Sequence, residues 1–258
     1  MRKLFVSDVD GTLLKNSKPV HPKVVRAISD FVERGNYFAL STGRASTSVL
    51  FLLNQLRINA PCILYSGALI YDYQAEDALS ISYMSYEIYD LLSDILSFYK
   101  DISVTVYTEK ELFNLRTNHT LLTKGVYEDW NAPLTHLQAI RDPLIKVLFA
   151  SDDPVLLQRL GVEIIPTTLF DYHSAGTHFY ELTAKGVCKG SALSLLRRKL
   201  GNDLAVYAAG DAFSDLTMVG QVQAFYVPIT AGQEIQKQAS SVFPPPEEGG
   251  LAEVLDCL

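Results

Sequence analysis

Short apolar runs that end abruptly in polar, glycine-bearing segments recur along the chain, and between them apolar residues return every three or four positions. The first run, KLFVSDV at 3–9, predicts a buried strand that stops near Asp8, where DGTLLKNSKP begins. From His21 to Gly35, Val24, Val25, Ile28, Phe31 and Val32 recur at helical spacing, with Pro22 suited to the first turn and Gly35 to the stop. Strand-like NYFALST (36–42), helical ASTSVLFLLNQL (45–56) and strand-like PCILYS (61–66) follow. The first 66 residues thus predict βαβαβ, the grammar of a parallel sheet covered by crossover helices. ALIYDYQ and LSISYM, separated by the turn-like AED, predict a hairpin.

Near Tyr83 the rhythm changes. A helix (YEIYDLLSDILSFYK), paired strands (SVTVYT and ELFNLR), an irregular stretch rich in Asn, Thr and His, a strand (LIKVLFA), a helix (PVLLQRL) and two further strands read as α+β. From Lys185 the alternation resumes with helical CKGSALSLLRRKL, strand LAVYAAG, a short helix from Phe213, strand AFYV, helical AGQEIQKQA and strand SSVF. The predicted organisation is an α/β core built from 1–82 and 185–258, Rossmann-like in its parallel sheet, with an α+β domain inserted at 83–184. Beyond the PPPEEGG turn there is no low-complexity tract, and no internal repeat.

Composition narrows the function classes. The 258 residues are 48% hydrophobic and 20% charged, an ordinary globular balance that argues against disorder and coiled coil. With 22 Lys and Arg against 29 Asp and Glu, the net charge of −7 disfavours a sequence-independent grip on nucleic acid or on anionic lipid. The N-terminal apolar run ends too soon for a signal-peptide core, and no later run nears the about 18 residues of a membrane span. Cys62, Cys188 and Cys257 fall at no metal-ligand spacing, and their odd number points to reduced thiols and a cytoplasmic location. The expected partner is a small molecule, and the expected state a monomer or weak homodimer.

Open parallel sheets bind ligands beyond the carboxyl ends of their strands, so residues just after each core strand carry the chemical information. Four places stand out. In Asp8-Val9-Asp10-Gly11-Thr12, two carboxylates two apart leave an extended segment on one side, and Gly11 permits a tight turn. Ser41-Thr42-Gly43-Arg44 puts hydroxyls, a glycine and a cation at the start of the predicted 45–56 helix, whose free N–H groups favour an anion. Lys189 lies at another helix start, and Gly210-Asp211-Ala212-Phe213-Ser214-Asp215 follows a strand, with Ser214 and Asp215 about one turn beyond Asp211. Each has a bland reading: a turn or calcium loop for DxDG, a helix cap for STGR, a solvated lysine for Lys189, a capping turn for GDxxxD. The glycine of DVDG is fourth rather than sixth, unlike an EF-hand loop, and no Walker-type GxxxxGK[ST] occurs. Together, the acids, hydroxyl, glycine amide and lysine suit Mg²⁺ and a phosphoryl group, with charge neutralisation as the main source of rate.

The four motifs resemble those of the haloacid dehalogenase superfamily, specifically its Cof-type, subclass IIB sugar-phosphate phosphatases. DVDGTLL, STGR, ELTAKGVCKGSAL and GDAFSDLTMV stand in that family's order and spacing, and the insert has the position of its cap. The resemblance implies a Mg²⁺-dependent phosphatase acting on a small phosphate ester through an aspartyl-phosphate on Asp8, with Asp10 as acid and base. It places Mg²⁺ on the Asp8 carboxylate, the Asp10 backbone carbonyl and Asp211. Thr42 and Gly43 then hold the phosphoryl oxygens, Lys189 balances charge, Arg44 contacts substrate, and Ser214 and Asp215 stand behind them as supports. Ser214 and Ser66 replace asparagines usual in the family, which would remove an amide contact at each place. Arg116, His119, Lys124, His136, His173 and His178 of the insert are candidates to touch a sugar or second phosphate, each with surface or packing duty as its bland reading. A phosphomutase or phosphotransferase on the same core, or a phosphometabolite-binding regulator without catalysis, are the competing functions.

Overall fold

The computed structural model describes residues 1–15, 19–125, 127–201 and 203–258, and the side chains of all of these except Tyr127 and Glu128. Two compact units result: Met1–Ser80 together with Cys188–Leu258, and Ile81–Val187. The unit boundaries thus fall at 80/81 and 187/188, two and three residues from the positions expected from the pattern change.

The chain opens with β1 (Lys3–Ser7), α1 (Pro22–Glu33) and β2 (Tyr37–Leu40). Pro22 at the first turn of α1 and the His21 side chain accepting from the Lys23 N–H start this helix, and Val24, Ala27, Ile28, Phe31 and Val32 bury one stripe of it. The helix predicted over 45–56 is a departure. Only a 3₁₀ turn at Thr47–Val49 and a single α-turn, α2 (Leu50–Leu53), form there. Ser46, Thr47 and Ser48 offer the backbone competing hydrogen-bond partners, which disfavours a regular helix through them.

β3 (Cys62–Leu64), β4 (Leu69–Asp72) and β5 (Asp77–Ile81) make a separate three-stranded sheet, as the hairpin pattern predicts for the last two. The insert follows: α3 (Glu87–Phe98), β6 (Ser103–Tyr107), β7 (Leu112–Arg116), α4 (His119–Lys124), α5 (Tyr127–Trp130), β8 (Lys146–Ala150), α6 (Pro154–Arg159), β9 (Phe170–Ser174) and β10 (Phe179–Ala184). Its five strands run in the order β7-β6-β8-β10-β9, with antiparallel neighbours throughout. Alternation decides its faces. Val104, Val106, Val147, Phe149 and Leu182 pack with Ile88, Leu92 and Ile95 of α3 in one core, while Thr105, Tyr107, Lys146 and Glu181 point to the other face.

The chain returns with α7 (Lys189–Leu200), β11 (Ala205–Ala209), β12 (Ala224–Pro228), α8 (Gln233–Gln236), β13 (Ser241–Phe243) and α9 (Leu251–Cys257). The parallel sheet has the order β13-β12-β11-β1-β2. On one face Leu4, Val6, Val206 and Ala208 meet Leu193 and Leu196 of α7, and on the other Phe5 lies between the rings of Phe31 and Phe38. Helices on both faces of a parallel sheet make this a doubly wound α/β unit. Several elements differ from expectation: the region after Phe213 is a 3₁₀ helix at Asp215–Gln221, α8 is only four residues long, α4 and α5 form where the pattern predicts an irregular stretch, and α9 was not foreseen. Cys62, Cys188 and Cys257 are free thiols, and no helix among the described residues is long and apolar enough to cross a membrane.

Candidate active site

β1 ends at Ser7, and the Asp8 N–H donates to the Ala209 carbonyl at 2.9 Å, fixing Asp8 beside the end of β11. The following loop closes on itself: Leu13 and Leu14 N–H groups both reach the Val9 carbonyl, and Gly11 N–H the Leu14 carbonyl. Gly11 has φ +91°, and a Cβ there would lie 2.2 Å from Asp211 Oδ2. A side chain at this φ would be strained and would displace the Asp211 carboxylate, so glycine suits the place where the first motif lies against the last. Thr12 Oγ1 donates to Asp211 Oδ1 at 2.8 Å, tying the same two motifs by side chain.

Lys189 is the first residue of α7, held there by a capping box in which Cys188 and Ser191 exchange backbone and side-chain bonds. Its buried ammonium donates to Asp8 Oδ1 at 2.7 Å and to Asp215 Oδ1 at 2.6 Å. The second oxygen of Asp215 accepts from the N–H groups of Asp211 and Ala212, at 3.0 and 2.9 Å. Asp215 thus shapes the Asp211 turn with one oxygen and orients the lysine with the other. A carboxylate oxygen from each of Asp8, Asp211 and Asp215 lies within 4.8 Å of the others.

Burial pushes the Asp8 carboxyl well above the ordinary carboxylate range; Lys189 opposes that shift, and Asp215 and Asp211 add to it. Burial, reinforced by Asp215, pushes Asp211 up to about 6. Burial works to lower Lys189, but Asp215 and Asp8 outweigh it and hold the ammonium above its usual range. Three carboxylates crowd one ammonium, so the cluster has room in its electrostatics for a further cation. An all-oxygen donor set with few protein ligands fits Mg²⁺.

Asp10 faces elsewhere. Arg44 donates to both its carboxylate oxygens, Nε to Oδ2 at 2.7 Å and Nη2 to Oδ1 at 2.8 Å. The arginine side chain is only 6% exposed against 45% for Asp10, and it also lies over the Phe51 ring. Arg44, read from the sequence as a substrate contact, here commits its fork to Asp10. Thr42 is buried, its N–H on the Ile63 carbonyl and its Oγ1 accepting from the Arg44 N–H at 3.2 Å, with Gly43 between them in the chain. Because no regular helix follows this loop, the helix-terminus argument for anion binding at Ser41–Arg44 does not apply. The Ser214 carbonyl accepts from Thr217 Oγ1, and Ser66 sits in a left-handed turn at φ 56°.

The six candidates of the insert separate into three places. Arg116 donates to the carbonyls of Leu96, Tyr99 and Ile102, closing the end of α3, and shares a groove with Lys100 and His136. Lys124 reaches His178 Nε2 at 3.0 Å and Asp152 at 3.4 Å, while His119, at the first position of α4, is exposed. His173 is half-buried on β9, and its Nε2 has no hydrogen-bond partner among the described residues. Sequence reasoning passed over Thr12 and the Arg44–Asp10 pair. It also passed over the buried Lys146–Glu181 pair of the insert, whose only signal was a lysine inside the apolar run LIKVLFA.

Comparison with known proteins decides the family. The haloacid dehalogenase-like hydrolase family matches residues 5–255. The chain belongs to that family. A putative phosphatase of Streptococcus pyogenes is 28% identical, covering 98% of this chain and 97% of that protein. A 5-amino-6-(5-phospho-D-ribitylamino)uracil phosphatase of Bacillus subtilis is 26% identical, covering 99% and 98%. Among solved structures, a haloacid dehalogenase subclass IIB sugar phosphatase superposes with a TM-score of 0.83 at 19% identity, over 99% of this chain and 98% of that one. This haloacid dehalogenase-like hydrolase is an enzyme of the phosphatase class with the α/β fold of its family.

Proposed function

We propose that this hydrolase is a Mg²⁺-dependent phosphatase that cleaves a small phosphomonoester, a sugar phosphate, through an aspartyl-phosphate on Asp8. The observation that carries the reading is Asp8 buried against Lys189 and within reach of Asp211 and Asp215, an anionic nucleophile surrounded by the means to hold cations. The sugar-phosphate class rests on the likeness to a sugar phosphatase and to a phosphatase of a phosphoribityl compound.

In the first step an Asp8 carboxylate oxygen forms a bond to phosphorus as the bond to the leaving oxygen breaks, and Asp10, once its carboxyl has left the Arg44 fork and taken up a proton, protonates that oxygen. In the second, water attacks the same phosphorus, Asp10 takes its proton, and the bond to Asp8 breaks, regenerating the carboxylate. Lys189 holds Asp8 in place and offsets its charge throughout, while Asp215 orients Lys189. Thr42 Oγ1 and the Gly43 N–H are assigned to phosphoryl oxygens. The Asp8 and Asp211 carboxylates, with the Asp10 carbonyl, would hold Mg²⁺. When bound, the ion supplies positive charge that lets an anionic carboxylate approach an anionic phosphoryl group.

Asp8→Asn tests the covalent step. With Mg²⁺ present, phosphate release from a panel of sugar phosphates should fall on the order of 10³-fold or more, and in H₂¹⁸O the wild-type product should carry the label. Unchanged turnover in the variant removes Asp8 as nucleophile.

A further inference from the structure

Where β3 ends, the backbone turns through three successive positive φ values: Tyr65 at 49°, Ser66 at 56° and Gly67 at 109°. Only the third is glycine. Side-chain-bearing residues adopt this region at a cost, and two in a row persist only where surrounding contacts impose it. Those contacts are visible on both sides of the turn.

On one side lies the loop assigned to the phosphoryl group. The Tyr65 N–H donates to the Arg44 carbonyl at 3.1 Å, and the Ser66 N–H to the Thr42 carbonyl at 3.0 Å. The Tyr65 hydroxyl meets Ser46 Oγ at 3.3 Å. On the other side lies the start of α7. A Cβ on Gly67 would sit 2.4 Å from the Cys188 carbonyl oxygen and 3.1 Å from the Lys189 nitrogen. These are backbone atoms, which cannot swing aside as a flexible side chain would. Main chain therefore packs directly on main chain at the residue whose ammonium joins Asp8 to Asp215.

We propose that Tyr65–Gly67 is a positioning turn that sets Lys189 against the Thr42–Arg44 loop, with Gly67 acting as the positioning residue through the Cys188–Lys189 backbone. The turn touches neither phosphorus nor metal in this scheme. It fixes the distance between two parts of the site that lie far apart in sequence, and it does so through hydrogen bonds to one and close packing on the other. The reading rests on the proposed phosphatase chemistry for its kinetic consequence, but not for its structural one.

Gly67→Ala tests it, with Gly35→Ala as control. Gly35, just past α1, has φ +85° with nothing within 4 Å of an added Cβ, so that variant carries the positive-φ penalty without the clash. With Mg²⁺ and 4-nitrophenyl phosphate, Gly67→Ala should lose on the order of 10²-fold in kcat with KM changed far less, since a small misplacement of a catalytic group has that effect. Gly35→Ala should keep wild-type kcat while its melting temperature falls. A crystal structure of Gly67→Ala should show Lys189 Nζ moved out of hydrogen-bond range of Asp8. If Gly67→Ala does not fold, Ser66→Val, which raises the cost of the same turn while leaving Gly67 in place, should lower kcat with KM little changed. Wild-type kcat in the folded turn variant, or an unmoved Lys189, overturns the proposal. Absence of phosphate release by the wild type would instead refute the parent reading, and the Lys189 position in the crystal would still decide this one.

Discussion

Each unit of the molecule buries charge, and the two do so differently. In the insert, Lys146 meets Glu181 at 2.7 Å with its ammonium 4.5 Å from the centre of the Tyr107 ring, whose hydroxyl donates to Asp129. In the α/β unit, Asp8, Asp211 and Asp215 gather around Lys189, three carboxylates to one ammonium. A buried ion pair of this kind offsets part of its own desolvation. In the crowded cluster burial raises the carboxyls of Asp8 and Asp211 above their ordinary range and the neighbouring acids add to it, which favours whatever brings positive charge. The lesson is that an excess of buried carboxylates over ammonium, added to burial, is what leaves a site favouring a further cation.

The largest effect is expected from Lys189→Met. With its ammonium gone, Asp8 and Asp215 lose their common partner, and denaturant unfolding at pH 7 should show a loss of about 3–5 kcal/mol together with loss of phosphate release. The contrast with the insert sharpens next. Lys146→Met alone takes the ammonium away from the Glu181 carboxylate and should cost about 3 kcal/mol, whereas Lys146→Met with Glu181→Leu should return close to wild-type stability in the same measurement. A double variant as damaged as the single would contradict this.

The smallest effect has the opposite sign. Asp211 keeps its proton up to about pH 6 when folded, against about 3.9 for an unfolded aspartate. Between those values the folded state binds more protons, so this group's contribution to stability falls as pH rises through the window and stays low above it. Metal-free Asp211→Asn should therefore exceed metal-free wild type by on the order of 1–2 kcal/mol at pH 7, with the gain vanishing near pH 4. Thermal melts at the two pH values check both magnitude and sign.

Much of this arrangement was legible in the chain, and the exceptions have physical causes. The βαβ opening was readable because apolar runs and helical stripes have different periods, and the acidic and STGR motifs because each follows a core strand, whereas Lys189 was found at the start of a helix. Helix α9 was not, because LAEVLDC is too short to be helical by its own propensity and forms by burying Leu251, Ala252, Val254 and Leu255. The Arg44 pairing with Asp10 could not be read from the chain. A guanidinium fork fits phosphate and carboxylate alike, and only the folded loop brings Asp10 within 2.7 Å. The Gly67 contact was equally invisible, since it depends on two segments meeting backbone to backbone.

Mg²⁺ titrated calorimetrically into the metal-free wild type and into Asp211→Asn tests the imbalance most directly. The wild type should take up one ion and release protons near pH 6 as Asp211 ionises, and the variant should bind the ion far more weakly. Equal binding by both proteins, or none by the wild type, would contradict the account.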